Sequence, residues 1–493
     1  MVKRSISLPI LFAFEALILG IFALPSNLNF MAWAFSDQGA NLTAQYLTAH
    51  GYRANIDFAY HYGLLPLLLG RIWFSLSGAT PHACVLLVFL CTLAAAWALA
   101  RIALNLELGI TGVAFLVIAL PLAIPFNPPN LAHALEAALL SNALAEQAAQ
   151  RHSRSLALAT AGLFVRPSMS YVYGFLLLLL LLWRLNQERH LNLRRMSKAL
   201  LPALLTGTVL VAILGFVYGF PSLVRAVFPL TGLSTYSAQN FGFCRAGRGF
   251  WYPTSPHFSY YADTPAGFWI AGTLWLLICG AIDARRALIG GSAKYEIVLC
   301  CAVLHLAFIS LFFGNRFSWW YYSYMLCIGI AVSSTWTSIY RDGVCALALI
   351  ALVGQASELV VFNALWRVTS PSPATAGLWA SKSERFEWER VIEIVREGRS
   401  KSPATVSLLE EVGCVELLFS GFQPPVSLYL IRGEATKSDI ARKLAQMSHS
   451  STVVVLIRTL HDGLLPDLPQ FKQVLAKYHV VWKGENLEVY EKR

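Results

Sequence analysis

The chain has 493 residues, of which 56% are hydrophobic and only 13% are charged, and its mean hydropathy is +0.56. Soluble globular proteins carry about 25% charged residues, so the composition argues against an ordinary soluble protein and favours a polytopic membrane protein. The net charge of +11 does not indicate a nucleic-acid partner, because the basic residues cluster in short segments between apolar blocks.

Apolar blocks close to membrane-spanning length predict about eleven transmembrane helices. They cover residues 7–24, 82–104, 110–126, 131–150, 155–167, 168–187, 199–219, 267–283, 296–313, 318–339 and 344–364. No convincing A-x-A cleavage site follows the first block, which is therefore interpreted as an uncleaved helix. The segment 64–77 is shorter and interrupted, which is typical of an interfacial or re-entrant helix.

The distribution of basic residues predicts the orientation of these helices. With the N-terminus inside, the inside segments carry more Lys and Arg than the outside loops up to residue 317, although those loops are longer. A full span over 64–77 would reverse the following loops and weaken this bias. The sequence therefore predicts a transmembrane module over 1–365 with two long outer loops, 25–81 and 220–266.

The composition changes sharply in the C-terminal tail, residues 366–493. Helical patterns occur in "SKSERFEWERVIEIVREG" and "TKSDIARKLAQM", whereas "TVSLLEE" and "STVVVLIRT" are typical of short strands. The end of the chain predicts a hairpin turning at Gly484-Glu485-Asn486. Alternating strands and helices indicate a small extracytoplasmic α/β domain.

The first outer loop contains the polar and aromatic stretch "FSDQGANLTAQYLTAHGYRANIDFAYHYG". Asp37 is either a solvated loop acid or a group that faces a cavity at the membrane surface and acts as a base or orients a metal. Asp57 either shapes the loop or lines the site. Tyr60 and His61, with their aromatic neighbours, form either a membrane-interface belt or part of a substrate surface.

The second outer loop carries "IPFNPPNLAHALE", in which His133 and Glu136 stand three residues apart at the start of a helix. They therefore share one face of that helix. Glu136 either contributes to a site or interacts with the helix dipole. Two such ligands are too few to predict a metal centre.

Three arginines in outer segments are candidate contacts for a phosphate or a sugar. Arg166 stands before Pro167 between two apolar half-segments, and Arg316 lies in a short loop rich in Trp and Tyr. Arg248 and Tyr252 belong to an Arg-rich and aromatic stretch of the loop 220–266. Guanidinium groups match phosphate in bidentate geometry, but snorkelling to lipid headgroups and interfacial packing are the alternatives.

The order and sidedness of these features resemble the polytopic glycosyltransferases of the GT-C fold, the superfamily of protein mannosyltransferases and aminoarabinose transferases. These enzymes take a sugar from a polyprenyl-phosphate carrier on the outer face of the membrane. The resemblance implies that Asp37 is the catalytic acid of the first loop and that Glu136 matches the acid of the second. It also implies that Arg166 and Arg316 contact the carrier phosphate.

The resemblance also implies the partners and the location of the protein. The partners are a polyprenyl-phosphate-linked sugar donor, membrane lipids and a glycan, lipid or protein acceptor, with no nucleic acid. The location is the bacterial cytoplasmic (inner) membrane, with the N-terminus cytoplasmic and the tail periplasmic. The family often has an adjacent acidic pair or a D-x-D, whereas Gln38 follows Asp37 here, so participation of a divalent cation, Mg²⁺ or Mn²⁺, stays open.

Two alternatives have a different physical basis. A lipid or solute transporter, or a flippase, needs polar residues inside the helix bundle at mid-membrane depth. A non-enzymatic scaffold would only present the C-terminal tail. The clustering of charged residues in the outer loops favours surface chemistry, and hence the transferase.

Overall fold

The computed structural model describes most of the chain. The described residues are 7–28, 37–58, 60, 62–123, 130–187, 193–228, 265–289, 293–312, 319–333, 338–362, 377–401, 406–409, 437–456 and 468–493.

Fourteen helices precede the predicted tail within the described residues. They are α1 (Leu8–Asn27), α2 (Asp37–Ala49), α3 (Leu65–Ser77), α4 (Pro81–Asn105), α5 (Ile110–Ala123), α6 (Leu131–Ala148), α7 (His152–Gly162), α8 (Pro167–Gln187), α9 (Leu193–Tyr218), α10 (Phe220–Val227), α11 (Pro265–Leu288), α12 (Ala293–Phe312), α13 (Trp319–Val332) and α14 (Ser338–Phe362).

The tail contains three helices and four strands within the described residues. They are α15 (Lys382–Lys401), β1 (Val406–Leu409), α16 (Lys437–His449), β2 (Thr452–Leu456), α17 (Pro469–Leu475), β3 (Tyr478–Lys483) and β4 (Leu487–Lys492).

The mainly helical architecture expected from the apolar blocks is present. Among the described residues, three helices are long and apolar enough to cross a membrane: Pro81–Asn105, Met169–Gln187 and Arg194–Tyr218. Helix α3 has 13 residues and is therefore about 20 Å long, which is less than the roughly 30 Å of a hydrocarbon core. The number of eleven spans stays a prediction.

The structure differs from the predicted layout in several details. The outer loop 25–81 contains α2, a helix that the sequence analysis did not predict, because its composition is polar and no long apolar block marks it. Its apolar side chains nevertheless recur at helical spacing and are buried at Ala40, Ala44 and Leu47. The predicted helix over 155–167 begins earlier and ends at Gly162, where the chain turns.

The chain divides into two compact units, each built from several chain segments. Unit 1 comprises Met1–Ser26, Val88–Val217 and Gln239–Val360, and unit 2 comprises Asn27–Leu87, Tyr218–Ala238 and Val361–Arg493. The predicted division at residue 365 is not tested by this grouping and stays a prediction.

Small residues allow close helix packing in unit 1, where α12 packs against α11 and α13. A Cβ atom at Gly280 of α11 would overlap Ala302 of α12, and one at Gly329 of α13 would overlap Leu276 of α11. Small side chains let helix backbones approach each other, which is typical of helix contacts in membranes.

A mixed four-stranded sheet in unit 2 follows the order β1-β2-β4-β3, with β1 parallel to β2 and the other pairs antiparallel. The predicted hairpin is present as β3 and β4. Its turn is held by Glu387 of α15, whose carboxylate accepts the backbone N–H groups of Glu485 and Asn486, the latter at 2.9 Å. Met447, Val453 and Phe471 contribute to the core that covers this sheet.

Candidate active site

A break between two helices of unit 1 positions Arg166. The N–H groups of Val165 and Arg166 both donate to the carbonyl oxygen of Gly162, each at 2.9 Å, so the chain turns tightly after α7. Helix α8 then begins at Pro167, whose ring suits the first helical position because its missing N–H has no partner there. Arg166 thus stands immediately before α8, where the sequence predicted an interruption.

The turn requires glycine at its first position because the two helices approach closely. A Cβ atom at Gly162 would overlap the hydroxyl of Ser170, which lies in the first turn of α8. The side chain of Arg166 is therefore carried by a compact junction rather than by a long loop.

Arg166 is paired with Glu136 of α6. Arg166 Nη1 and Glu136 Oε2 are 3.6 Å apart, and the two side chains are 11% and 0% exposed. An arginine in an apolar membrane segment costs about 2.5–3.5 kcal/mol on insertion scales, and the buried carboxylate offsets part of that cost. The separation exceeds the 2.7–2.9 Å or so of a short charge-assisted hydrogen bond, so this ion pair is a loose one.

The start of α6 explains why Glu136 is buried at this place. Asn130 is the N-cap in an extended conformation, and its side chain accepts the backbone N–H of His133 at 2.9 Å. The cap orients the first turns so that both His133 and Glu136 are buried. The predicted helix start is therefore confirmed, and the structure adds Arg166 as a partner of Glu136.

A second ion pair, between half-buried Arg184 and buried Glu296, lies at the other end of α8. Arg184 Nε donates to Glu296 Oε1 of α12 at 2.6 Å, and Gln147 Nε2 donates to the other carboxylate oxygen at 2.7 Å. Arg184 also donates to the side chain of Gln150. This cluster ties α6, α8 and α12 together.

In unit 2, Asp57 closes a turn of the predicted first outer loop. Its carboxylate accepts the backbone N–H of Arg53 at 2.7 Å and the Nε–H of the same residue at 3.1 Å. The Arg53 side chain, its backbone N–H and the nearby charge of Arg442 hold the pKa of the Asp57 carboxyl below its ordinary value. This geometry supports the alternative in which Asp57 shapes the loop.

Tyr60 connects that loop to α2. Its hydroxyl donates to Asn41 Oδ1 at 3.0 Å in a buried contact, and its ring stands edge-on to Tyr62 with 5.5 Å between centroids. Helix α2 begins at Asp37, so Asn41 is one helical turn further along. The structure describes the backbone of Asp37 but not its side chain.

The remaining predicted site residues, His61, Arg248, Tyr252 and Arg316, lie outside the described residues. Of the others, His133, Glu136 and Arg166 belong to unit 1, whereas Asp37, Asp57 and Tyr60 belong to unit 2. Within the described part of the chain, no three His, Cys, Asp or Glu side chains form a group that could hold a metal ion.

Sequence reasoning missed several residues that lie near Glu296, Asp57 and Tyr60. Asn41 and Gln147 are ordinary amides in helices, and nothing in the sequence marks their partners. Arg442 and Arg225 approach the loop of Asp57 from 385 and 170 positions further along the chain. The one available signal in the sequence was the spacing of four residues between Arg53 and Asp57, which would have indicated their ion pair.

No protein-family model matches the chain, and no curated protein matches it. The crystal structure of ArnT from Cupriavidus metallidurans bound to undecaprenyl phosphate is similar to it, with a TM-score of 0.52, 12% identity and 97% of each chain covered. The apo-state crystal structure of that protein gives a TM-score of 0.39 at 13% identity, over 98% of this chain and 97% of the other. Of these two structures, the first has a TM-score above 0.5, and its similarity confirms the GT-C-like fold expected from the sequence.

Proposed function

We propose that the protein is an integral membrane glycosyltransferase that moves a sugar from a polyprenyl-phosphate carrier to an acceptor hydroxyl. The observation that carries the proposal is the loose, buried pair of Arg166 and Glu136 at the break before α8. It supports a phosphate site because a guanidinium matches phosphate oxygens in bidentate geometry. The fold adds support, since ArnT, which is similar, was crystallised with undecaprenyl phosphate bound.

In this proposal the reaction takes place on the outer face of the bacterial cytoplasmic membrane. The N-terminus is cytoplasmic and the α/β tail is periplasmic. The prenyl chain lies between helices, and the sugar lies beneath the outer loops. The acceptor is a glycan, a lipid or a protein that supplies one hydroxyl group.

Asp37 is the proposed general base. Its carboxylate takes the proton from the acceptor hydroxyl while the acceptor oxygen forms a bond to the anomeric carbon of the sugar. The bond from that carbon to the carrier phosphate oxygen breaks, and its electron pair leaves with the phosphate. Attack from the opposite face inverts the anomeric configuration. Arg166, with Arg316 or Arg248, stabilises the charge of the leaving phosphate.

The other predicted residues have binding roles in this proposal. His61 and Tyr252 provide aromatic surfaces for the sugar, and Tyr60, which is buried against Asn41, supports that surface from behind. His133 lies beside the ion pair and contributes to the carrier phosphate site. Asp57 supports the loop that covers the sugar.

The proposal is tested in proteoliposomes that contain a polyprenyl-phosphate-linked sugar and candidate acceptors. General-base catalysis contributes about 10²–10⁴-fold in rate, so Asp37→Asn should lose that much turnover and retain carrier binding. Glu393→Gln, which changes an exposed carboxylate of α15, is the matched control. Full activity of Asp37→Asn would show that Asp37 is not the base, and chelation with EDTA tests the divalent cation separately.

A transporter is the second candidate, because polar side chains are buried within apolar helices of unit 1. Thr273 Oγ1 and His305 Nε2 are 2.9 Å apart in such a position, and Glu15 of α1 is fully buried. Intramembrane polar residues of this kind often mark transport pathways. Flux of a lipid or solute across the proteoliposome membrane, unchanged in Asp37→Asn, would favour this function over the transferase.

A further inference from the structure

Two arginines from distant parts of the chain bind the turn that Asp57 closes in unit 2. Arg225 of α10 donates from Nη1 to the carbonyl oxygen of Asn55 at 2.9 Å. Arg442 of α16 donates from Nη1 to the carbonyl oxygen of Asp57. Charge-assisted hydrogen bonds are roughly twice as strong as neutral ones, so the turn is held from two sides.

The same turn is connected to Tyr60 through Asn55. Asn55 has a φ of 62°, a left-handed conformation that asparagine tolerates better than most residues. In this conformation its carbonyl oxygen meets Arg225, while its side-chain Oδ1 accepts the backbone N–H of Tyr60 at 3.1 Å. Asn55 thus links α10, through its carbonyl oxygen, to the segment that follows the turn, through its side chain.

Tyr60 completes the connection to α2. Its hydroxyl donates to Asn41 at 3.0 Å, one turn after Asp37. One turn further, Gln45 Nε2 donates to the carbonyl oxygen of Pro66 in α3 at 3.1 Å. Two successive turns of α2 are therefore fixed by buried hydrogen bonds, and the first of these bonds depends on the turn at Asn55.

We propose that Arg225 and Arg442 are positioning residues for the reaction. Through Asn55, Tyr60 and Asn41 they fix the N-terminal turn of α2, and with it the backbone of Asp37. The inference rests on the proposed function, in which Asp37 is the base. It gives helix α16 of the tail a role in catalysis without any contact to substrate.

Hydrogen exchange tests the positioning without any activity assay. Arg442→Ala in the full-length protein should speed up amide exchange in α2 about tenfold, because a charge-assisted contact on its anchor is lost. Arg442→Lys, which retains a cationic donor, should restore part of the protection. Arg390→Ala removes an exposed arginine of α15 that pairs with Glu393 and should leave exchange in α2 unchanged.

Kinetics test the consequence for catalysis. A displacement of about 1 Å costs on the order of 10²-fold in rate, so Arg442→Ala should lower kcat by about tenfold or more and change the KM of the lipid-linked donor little. Tyr60→Phe removes the hydrogen bond to Asn41, which is a later contact in the same connection. The double variant should therefore lose little more α2 protection than the larger single effect, because both changes act on one chain of contacts.

The outcomes separate this inference from the proposed function. Unchanged exchange in α2 of Arg442→Ala, or effects of the two changes on exchange that simply add, would overturn the positioning. Faster exchange in α2 with a donor KM that rises while kcat is kept would also overturn it, since the turn would then bind substrate rather than hold the base. A wild-type protein without transferase activity would contradict the proposed function, while the exchange experiment would still decide whether α2 is held as described.

Discussion

Helix α8 has an arginine at each end, each paired with a buried glutamate, and the two pairs differ in geometry. Arg184, in the last turn, donates to Glu296 at 2.6 Å, and Gln147 occupies the other oxygen of that carboxylate. Arg166, just before the first turn, stands 3.6 Å from Glu136. The helix has 21 residues, so the two ends are about 30 Å apart, close to the thickness of a hydrocarbon core.

The difference is the one expected between a pair with a structural role and a pair with the role proposed for Arg166. A buried carboxylate that accepts hydrogen bonds at both oxygens holds its neighbouring helices together, and a further ligand would not stabilise it. A looser pair at a helix break would leave its guanidinium able to shift toward a second anion, which is the role proposed for Arg166. We therefore expect changes at Arg184 to affect stability and changes at Arg166 to affect turnover.

The largest effect is expected at the structural end. Arg184→Ala leaves Glu296 as an uncompensated buried charge, which costs about 3–5 kcal/mol of folding free energy. Denaturation in detergent micelles measures this loss. The double variant with Arg184→Leu and Glu296→Leu should recover most of the stability, because it removes both charges. Loss of turnover per folded molecule in that double variant would contradict the structural assignment.

At the functional end the expected effect is on rate. Removing one preorganised donor to a developing anion costs roughly 10²–10³-fold in kcat, so Arg166→Gln should lose about that much turnover. Glu136→Gln is combined with it to remove the charge that Arg166 balances, and thermal unfolding verifies that the double variant folds. Wild-type turnover in this folded double variant would show that Arg166 does not hold the phosphate.

A smaller effect is expected from the junction that carries Arg166. Gly162→Ala forces a methyl group against Ser170, and overpacking of this kind costs about 1–3 kcal/mol. Gly174→Ala is the matched control in α8, since a Cβ atom there meets nothing within 4 Å. The unfolding temperature and the turnover should both fall for Gly162→Ala and not for the control. Equal behaviour of the two variants would mean that the junction tolerates a wider turn.

The smallest effect is expected at the exposed pair of Asp57 and Arg53 in unit 2. Exposed pairs of this kind contribute little to stability, so Asp57→Asn should lower the free energy of unfolding only slightly at pH 7. Because the folded-state pKa of Asp57 lies below the ordinary 3.8, its stabilisation is present above that value and is lost as the pH falls through the folded pKa. The free energies of unfolding of the wild type and the variant should therefore converge in acid. A difference between them that stays constant with pH would rule out the Asp57 carboxylate as the cause.

The sequence predicted features that are local in the chain and missed those that join distant segments. The hairpin at Gly484 and the helix start before His133 follow from turn and cap residues within a few positions of each other. The pairing of Arg166 with Glu136 joins two helices thirty positions apart, and each residue was found as a separate candidate. Helix α2 was missed because its buried face mixes small and polar residues such as Ala40, Asn41 and Ala44, which no hydropathy window separates from a loop.

A structure of the protein with polyprenyl phosphate bound, determined by cryo-electron microscopy in a lipid nanodisc, tests the central claim most directly. We expect the phosphate within about 3 Å of the Arg166 guanidinium, the usual hydrogen-bonding distance, with Arg184 still bound to Glu296. A phosphate held elsewhere, with Arg166 still paired with Glu136, would contradict the account.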